Sequence, residues 1–332
     1  MSAELLQRAF ARRSILLADG STTAVRAVNS RADDLPQVTV DWFDGVAVLS
    51  LYRAMSLEEE HALAQALVTG VGARAVYLKR RPREARTAAR SSRDELAPAQ
   101  PMAGEHVPEL VVKECGLSFR IRPADGLAVG LYLDMRDTRE WFRAQVAAKT
   151  VLNCFAYTCA FSVYAQVGGA ARVVNVDLSR RVLDWGEENL RLNGGQPQRR
   201  DHIAGDVFDW VRRFGRKGER FDVVILDPPS FSTSEGRAFS AKRDYSKLVA
   251  SASPAIAPRG MLVACCNLED LGGDAFEAQI RRGLDGVGRR GRVVKRLGPS
   301  PIDFPEHPDE PAALKVRAVL LDEPREPSRG RS

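Results

Sequence analysis

Residues 151–177 read VLNCFAYTCAFSVYAQVGGAARVVNVD, and their pattern decides the fold. An apolar run, 151–154, leads into a loop of small and aromatic residues, 155–160. A helix is expected over 161–167, and Gly168-Gly169 suits a left-handed stop. A second apolar run, 172–176, closes on Asp177. Two short apolar runs joined by a helix read as parallel strands with a right-handed crossover. Such sheets bind ligands beyond the carboxyl ends of their strands. An acid ending the second strand, about 20 residues past the loop, commonly takes ribose hydroxyls.

The loop narrows the ligand. A dinucleotide pyrophosphate needs backbone amides brought close by Gly-x-Gly-x-x-Gly, and the loop 155–160 lacks that pattern. No Gly-x-x-x-x-Gly-Lys-Ser/Thr loop is present either, which disfavours a triphosphate. S-adenosylmethionine has a ribose and an adenine but no phosphate. It needs an acid and a close turn rather than an anion cradle, so the loop with Asp177 favours it over NAD. The plainer alternative is that Asp177 only caps the next helix.

Composition sets outer bounds. The 332 residues allow two domains of ~150 each, and 44% are hydrophobic, enough for a core. No apolar run reaches the ~18–20 residues of a membrane span. Residues 1–13 mix charges and carry no cleavable apolar region, so neither membrane insertion nor secretion is expected. Five cysteines without a Cys-x-x-Cys pair, and four histidines, support neither a disulfide framework nor a metal site. The thiols are expected to be reduced, in the cytoplasm. A net charge of +6 suits a polyanionic partner. Residues 79–93 (KRRPREARTAARSSR) concentrate it, with Arg80 and Arg81 at the front. Arginine forks suit phosphate, although a solvated loop would look the same.

Before the central stretch, strands are expected at 24–28, 38–43, 46–52 and 75–79, with a favoured hairpin turn at Asp44-Gly45. Ser56 caps a helix over 57–68, with Glu58, Glu59 and Glu60 in its first turn. A linker at 80–108 precedes a hairpin, 110–112 with 117–122. A glycine-punctuated strand and turn then fills 125–139, with Thr138 capping a helix over 139–147. Beyond 177, helices are expected at 180–192, 208–214, 244–256 and 274–283. Strands are expected at 203–207, 221–226, 260–265, 293–297 and 314–321. This alternation gives an α/β fold, a Rossmann-like doubly wound sheet preceded by a small α+β domain. The expected division is an extension (1–20), the α+β domain (21–122), the sheet domain (123–322) and a disordered tail (323–332).

Asp177, Asp206 and Asp227 end successive strands and so share one rim. Asp177 would take the ribose. Asp206 would accept from the adenine amine, with Val207 or Phe208 on the ring. Asp227-Pro228-Pro229 opens the substrate side, the prolines stiffening it, and Phe231 would stack on an extruded base. Carbon 5 of a pyrimidine is unreactive until a thiolate adds to carbon 6. Cys266, after Cys265 at the end of its strand, is the candidate nucleophile. The alternative is a buried apolar cysteine. Cys115, Cys154, Cys159 and His307 read as structural.

The chain resembles the bacterial large-subunit ribosomal RNA methyltransferases of the RlmI/RlmK type. The matching residues are Val28-Asn-Ser-Arg-Ala-Asp-Asp-Leu-Pro36, Gly130-Leu-Tyr-Leu-Asp-Met-Arg-Asp137, Asn153-Cys-Phe-Ala-Tyr-Thr158, Val176-Asp-Leu-Ser179, Asp227-Pro-Pro-Ser-Phe231 and His307-Pro-Asp309. They run in order over about residues 22–321. The resemblance implies a class I methyltransferase using S-adenosylmethionine on ribosomal RNA. Its leading product would be 5-methylcytosine, with an N-methylated guanine as the other family chemistry; a degenerate RNA-binding homologue stays open. The expected cofactor residues are Arg136, Asn153, Phe155, Tyr157, Thr158, Asp177, Leu178, Asp206, Val207 and Asp227. Pro228, Pro229, Phe231, Arg80 and Arg81 are expected on the substrate, with Cys266 and Asp227 catalytic. No membrane partner is expected, and a homodimer is left open. The family usually begins with a PUA-type RNA-binding domain; here about 20 residues precede the match. The family's Gly-Gly becomes Cys159-Ala160, which should crowd the turn; its Gln is Met135, and its Lys-Thr is Ala128-Val129. Counted from Gly260, the family nucleophile falls at Asn267, one residue beyond Cys266.

Overall fold

The structure, a computed structural model, describes residues 3–81, 91–229, 231–234 and 237–323. The chain divides into two units, residues 1–136 with 299–311, and residues 137–298 with 312–332. Residues 123–136 thus join the first unit rather than the second, and a late segment returns to it. The bond between Arg136 and Asp303 is one physical reason for both.

The first unit carries α1 (Ala3–Leu17), β1 (Ala24–Asn29), β2 (Val38–Phe43), β3 (Val46–Leu51), α2 (Leu57–Val71) and β4 (Ala75–Arg80). A single turn, α3 (Arg93–Leu96), leads to β5 (Ala103–Gly104) and a hairpin, β6 (Leu110–Glu114) with β7 (Leu117–Ile121). The main sheet runs β1-β2-β3-β4-β5, with β3 and β4 parallel across α2. Ser56 opens α2 with a reciprocal cap: its hydroxyl accepts from Glu59 N–H, and the Glu59 carboxylate accepts from Ser56 N–H.

α1 is part of this core, not an appendage: Leu6 and Ala9 pack with Val28, Leu49 and Leu67. Its Arg13 is fully buried and donates to both oxygens of Asp33, at 2.7 and 2.6 Å. Asp33 also accepts from Asn29 N–H at 2.7 Å. Beside it, Arg136 donates to both oxygens of Asp303, at 2.8 and 2.7 Å, and Arg13 reaches the Asp303 carbonyl at 3.3 Å. Each buried charge therefore has an opposite one in bidentate geometry, the condition under which burial is tolerated. The strand expected within 125–139 does not form. Gly126 and Gly130 take φ of +68° and +120°, which breaks a pleat, and a 3-10 turn at Leu133–Met135 runs into a helix. That helix, α4 (Arg136–Arg143), starts earlier than expected and holds Thr138 inside it.

The second unit continues with β8 (Thr150–Cys154), α5 (Ala160–Val167), β9 (Arg172–Asp177), α6 (Arg180–Leu192), β10 (His202–Ala204) and α7 (Val207–Arg216). Then come β11 (Phe221–Leu226), a hairpin of β12 (Phe231–Ser234) and β13 (Arg237–Ser240), and α8 (Ala241–Ala252). β14 (Ile256–Asn267), α9 (Gly273–Asp285), β15 (Gly291–Leu297) and β16 (Leu314–Leu321) complete it. The sheet order is β10-β9-β8-β11-β14-β16-β15. The first five are parallel, and β16 runs antiparallel between β14 and β15. Strand order reverses between β8 and β11, the switch point at which such sheets open a ligand crevice. β10 ends three residues before the expected strand because Asp206 has already become the cap of α7.

Candidate active site

The crevice is lined by the loop after β8. Phe155, Tyr157 and Cys159 take φ of 60°, 47° and 59°. Left-handed backbone costs a side-chain-bearing residue roughly 1–2 kcal/mol, and such strain persists where neighbours over-determine it. Here Ala156 N–H donates to Val176 O at 3.1 Å. Tyr157 N–H donates to Asp177 Oδ2 at 2.9 Å, and Asn189 Nδ2 donates to Thr158 O at 2.9 Å. Ser179 N–H donates to Asp177 Oδ1 at 2.9 Å. Burial pushes the Asp177 carboxyl up, while the amides of Ser179, Tyr157 and Leu178 pull it back down. Each carboxylate oxygen can take two donors, so both retain capacity. Capping of α6 falls to Ser179, whose hydroxyl accepts from Val182 N–H, so Asp177 is spared that task. Leu178 beside it is 54% exposed, an apolar surface next to a half-buried acid.

Crowding at Cys159 is relieved from a distance. Its thiol is buried against α6 with Ala156 and Leu183. A Cβ on Gly186 of α6 would lie 2.3 Å from Cys159 Sγ. Gly186 and Asn189 thus support the loop from α6, a role the sequence alone did not show. The one available signal was a glycine inside a helix, where it costs about 1 kcal/mol against alanine.

Asn153 points into the sheet. Its Nδ2 donates to Ser162 Oγ at 2.9 Å and Asn175 Oδ1 at 3.3 Å, and Asn175 Nδ2 meets His202 Nε2 at 3.3 Å. A buried polar ladder therefore crosses β8, β9 and β10. Asp206 accepts from Asp209 N–H at 3.3 Å as the cap of α7. Val207 is buried in the core, with Phe208 packed at its edge. On the far side of the switch point Asp227 is half-buried, Pro228 buried and Pro229 exposed. Tyr245 hydroxyl donates to Leu226 O at 3.0 Å and fixes that strand end.

Cys266 is 1% exposed. Burial pushes its thiol up, and Asp227 adds to this; the Leu268 amide and the Lys315 ammonium act the other way. Lys315 stands opposite it on β16 and donates from Nζ to Leu268 O and Ala313 O, both at 2.7 Å. Asn267 is the exposed residue at the strand end. In the first unit, Arg136 is committed to Asp303, Arg80 to the Glu60 carboxylate, and Arg81 to Leu127 O at 2.7 Å. Residues 82–90, the tail from 324 and the base-stacking role expected of Phe231 lie outside the described residues.

A family model described as S-adenosylmethionine-dependent methyltransferase matches residues 26–321. The chain belongs to that family. The methyltransferase is similar to "Ribosomal RNA large subunit methyltransferase I" of Photobacterium profundum, 32% identical over 309 residues, 91% of this chain and 76% of that protein. The protein of the same name from Aeromonas salmonicida is 34% identical over 288 residues, 86% and 71% of the two chains. Among solved structures, SMU.776 complexed with SAH superposes with a TM-score of 0.85 at 26% identity, covering 96% of this chain and 80% of that one. S-adenosylmethionine is the methyltransferase's cofactor, and the crevice fits it in kind: a strand-end carboxylate, an apolar neighbour and no phosphate cradle. Among the described residues no cluster of His, Cys, Asp or Glu could hold a metal ion, and no helix is long and apolar enough to cross a membrane.

Proposed function

We propose that this methyltransferase modifies large-subunit ribosomal RNA, with its cofactor on the rim of Asp177, Asp206 and Asp227. Relatives carrying that name, matched over most of both chains, are the observation that supports the substrate. When bound, S-adenosylmethionine supplies an electrophilic methyl group. Asp177 holds the ribose hydroxyls, Leu178 and the loop 155–158 cover the nucleoside, and Asp206 accepts from the adenine amine. Asp227 orients the target base, and Pro228 and Pro229 keep that strand end stiff. The intended place of action is the cytoplasm, where RNA is the partner; a second copy of the chain is a further expectation.

The leading product is 5-methylcytosine. Cys266 would lose its proton and add to carbon 6, carbon 5 would then take the methyl group from the sulfonium, and loss of the carbon 5 proton to a base would expel the thiolate. The Lys315 ammonium favours the thiolate this needs. One observation favours a second product, an N-methylated guanine: Cys266 is buried and its thiol is pushed up, which disfavours a nucleophile. Amine methylation needs no thiol, because the nitrogen lone pair takes the methyl and sheds a proton.

Incubating protein-free bacterial large-subunit RNA with labelled cofactor, then mapping modified bases by mass, tests both. 5-Methylcytosine that vanishes with Cys266→Ala supports the first product, and label on guanine that survives it supports the second. Absence of label from RNA, with cofactor binding intact, removes the substrate reading.

A further inference from the structure

The second unit has a charged edge that methyl transfer does not use. Its parallel strands begin on the side opposite the rim. β11 starts just after Arg220, β14 just after Pro254, and β15, parallel to β14, just after Arg289 and Arg290. Between the last turns of α7 and α8 lies a groove of about 740 Å³, lined by Asp209, Arg212, Gly215, Arg216, Ser251 and Pro254, with Arg212 paired to Asp209 at 3.4 Å. Its floor is tight: a Cβ on Gly215 would stand 2.7 Å from Pro254 Cβ. Arg289 ties the edge together, donating to Ser253 O at 3.4 Å and Ala257 O at 3.3 Å.

Charge here is unbalanced. Arg216, Lys217, Arg220, Arg290 and Arg292 are all exposed, and none forms an ion pair with a described residue. Arg289 is pushed down by burial and then by neighbouring Arg220, with Asp322 acting the other way. Several arginines elsewhere in the unit sit on acids: Arg172 on Asp201, Arg191 on Glu187, Arg199 on Asp184, Arg296 and Arg317 on Glu277. In the first unit Arg80 and Arg93 are likewise paired, with Glu60 and Asp125. A patch whose positive charge is left uncancelled attracts a polyanion. Arginine forks along a groove suit successive phosphates rather than a single carboxylate.

We propose that this edge is a second RNA contact, where Arg216, Arg220 and the Arg289–Arg292 turn grip the phosphate backbone away from the reacting base. The proposal rests on RNA being the substrate. The six residues of β11 lie between Arg220 and Asp227, seven steps and so roughly 23 Å at 3.3 Å per step. One nucleotide cannot touch both, so the edge binds a flanking arm and adds affinity without touching the chemistry.

The test uses the full chain carrying Arg216→Glu and Arg220→Glu, with Arg216→Lys and Arg220→Lys as the conservative pair. Affinity for protein-free large-subunit RNA is measured across salt concentrations. The glutamate pair should weaken it at least tenfold and flatten the slope of log K against log salt by about two. The KM for RNA should rise while kcat and calorimetric cofactor affinity stay at wild-type values; the lysine pair should keep most of the binding. Glutamate variants with wild-type RNA affinity and slope overturn the surface alone. Wild-type protein that binds cofactor but no RNA overturns the surface and the substrate reading together. Loss confined to phosphatidylglycerol vesicles, with RNA binding kept, assigns the edge to a lipid surface and overturns the RNA proposal.

Discussion

At Asp177, one side chain shapes the loop and, in the proposed site, would also hold the cofactor. It accepts from the amides of Tyr157 and Ser179. Hydrogen bonds to a charged group are worth about 1.5–3 kcal/mol, or roughly tenfold to a hundredfold in affinity. Asp177→Ala should therefore weaken cofactor binding more than tenfold by calorimetry, with Asp177→Asn in between. Unchanged affinity in the alanine variant would remove Asp177 from the site. This residue was legible in sequence because it ends a strand at a known distance from the loop. Gly186 was not, because its partner lies a helix away. Its absent Cβ leaves room for Cys159 Sγ, 2.3 Å from where that atom would be. Overpacking costs about 1–3 kcal/mol, so Gly186→Ala should lower stability by that much and loosen cofactor binding. Adding Cys159→Gly should restore both, and additive losses in the double variant would refute the coupling.

Elements with a clean apolar period were readable; those held by charge were not. Strands β2, β11 and β16 lie where alternation or continuous apolar runs put them. Helix α1 read as no more than an N-terminal extension because the face it buries carries Arg13, which breaks the apolar stripe. The paired carboxylate is Asp33, and neither side chain of the pair is exposed. Removing one member of a buried pair strands the other and costs about 3–5 kcal/mol. Asp33→Ala should therefore release α1: its amides, and those of β1 beneath it, should exchange hydrogen far faster, while α6 and β11 keep their protection. Uniform protection throughout would mean the pair does not hold the helix. The β12–β13 hairpin escaped for a different reason, since its strands, FSTS and RAFS, are four residues each and too short to show a period.

Across the whole molecule, buried ionisable groups set how stability responds to pH, and they do so separately in each unit. In the second unit His202 lies in the ladder with Asn175, and burial depresses its basicity below the ordinary value of 6.5. Near neutral pH both folded and unfolded chains leave it neutral. As pH falls through 6.5, the unfolded chain takes up a proton that the folded ladder resists, so stability declines. At the alkaline end Cys154 and Cys159 are fully buried, and burial raises both thiols well above their ordinary value of 9.0. Above pH 9 the unfolded chain loses those protons first, and each thiol lowers stability by about 1.4 kcal/mol per pH unit. In the first unit Lys79 is fully buried against Pro123 O and lowered to about 8 from 10.5, again by burial first. Its folded form sheds a proton that the unfolded chain keeps, so that unit gains stability between pH 8 and 10.5. Thermal unfolding should then show two transitions whose pH profiles diverge above 8, one falling beyond 9 and one rising. His202→Gln should flatten the acid limb of the first, and Lys79→Met the alkaline rise of the second. Profiles that move together in both variants would mean that these groups do not set the response.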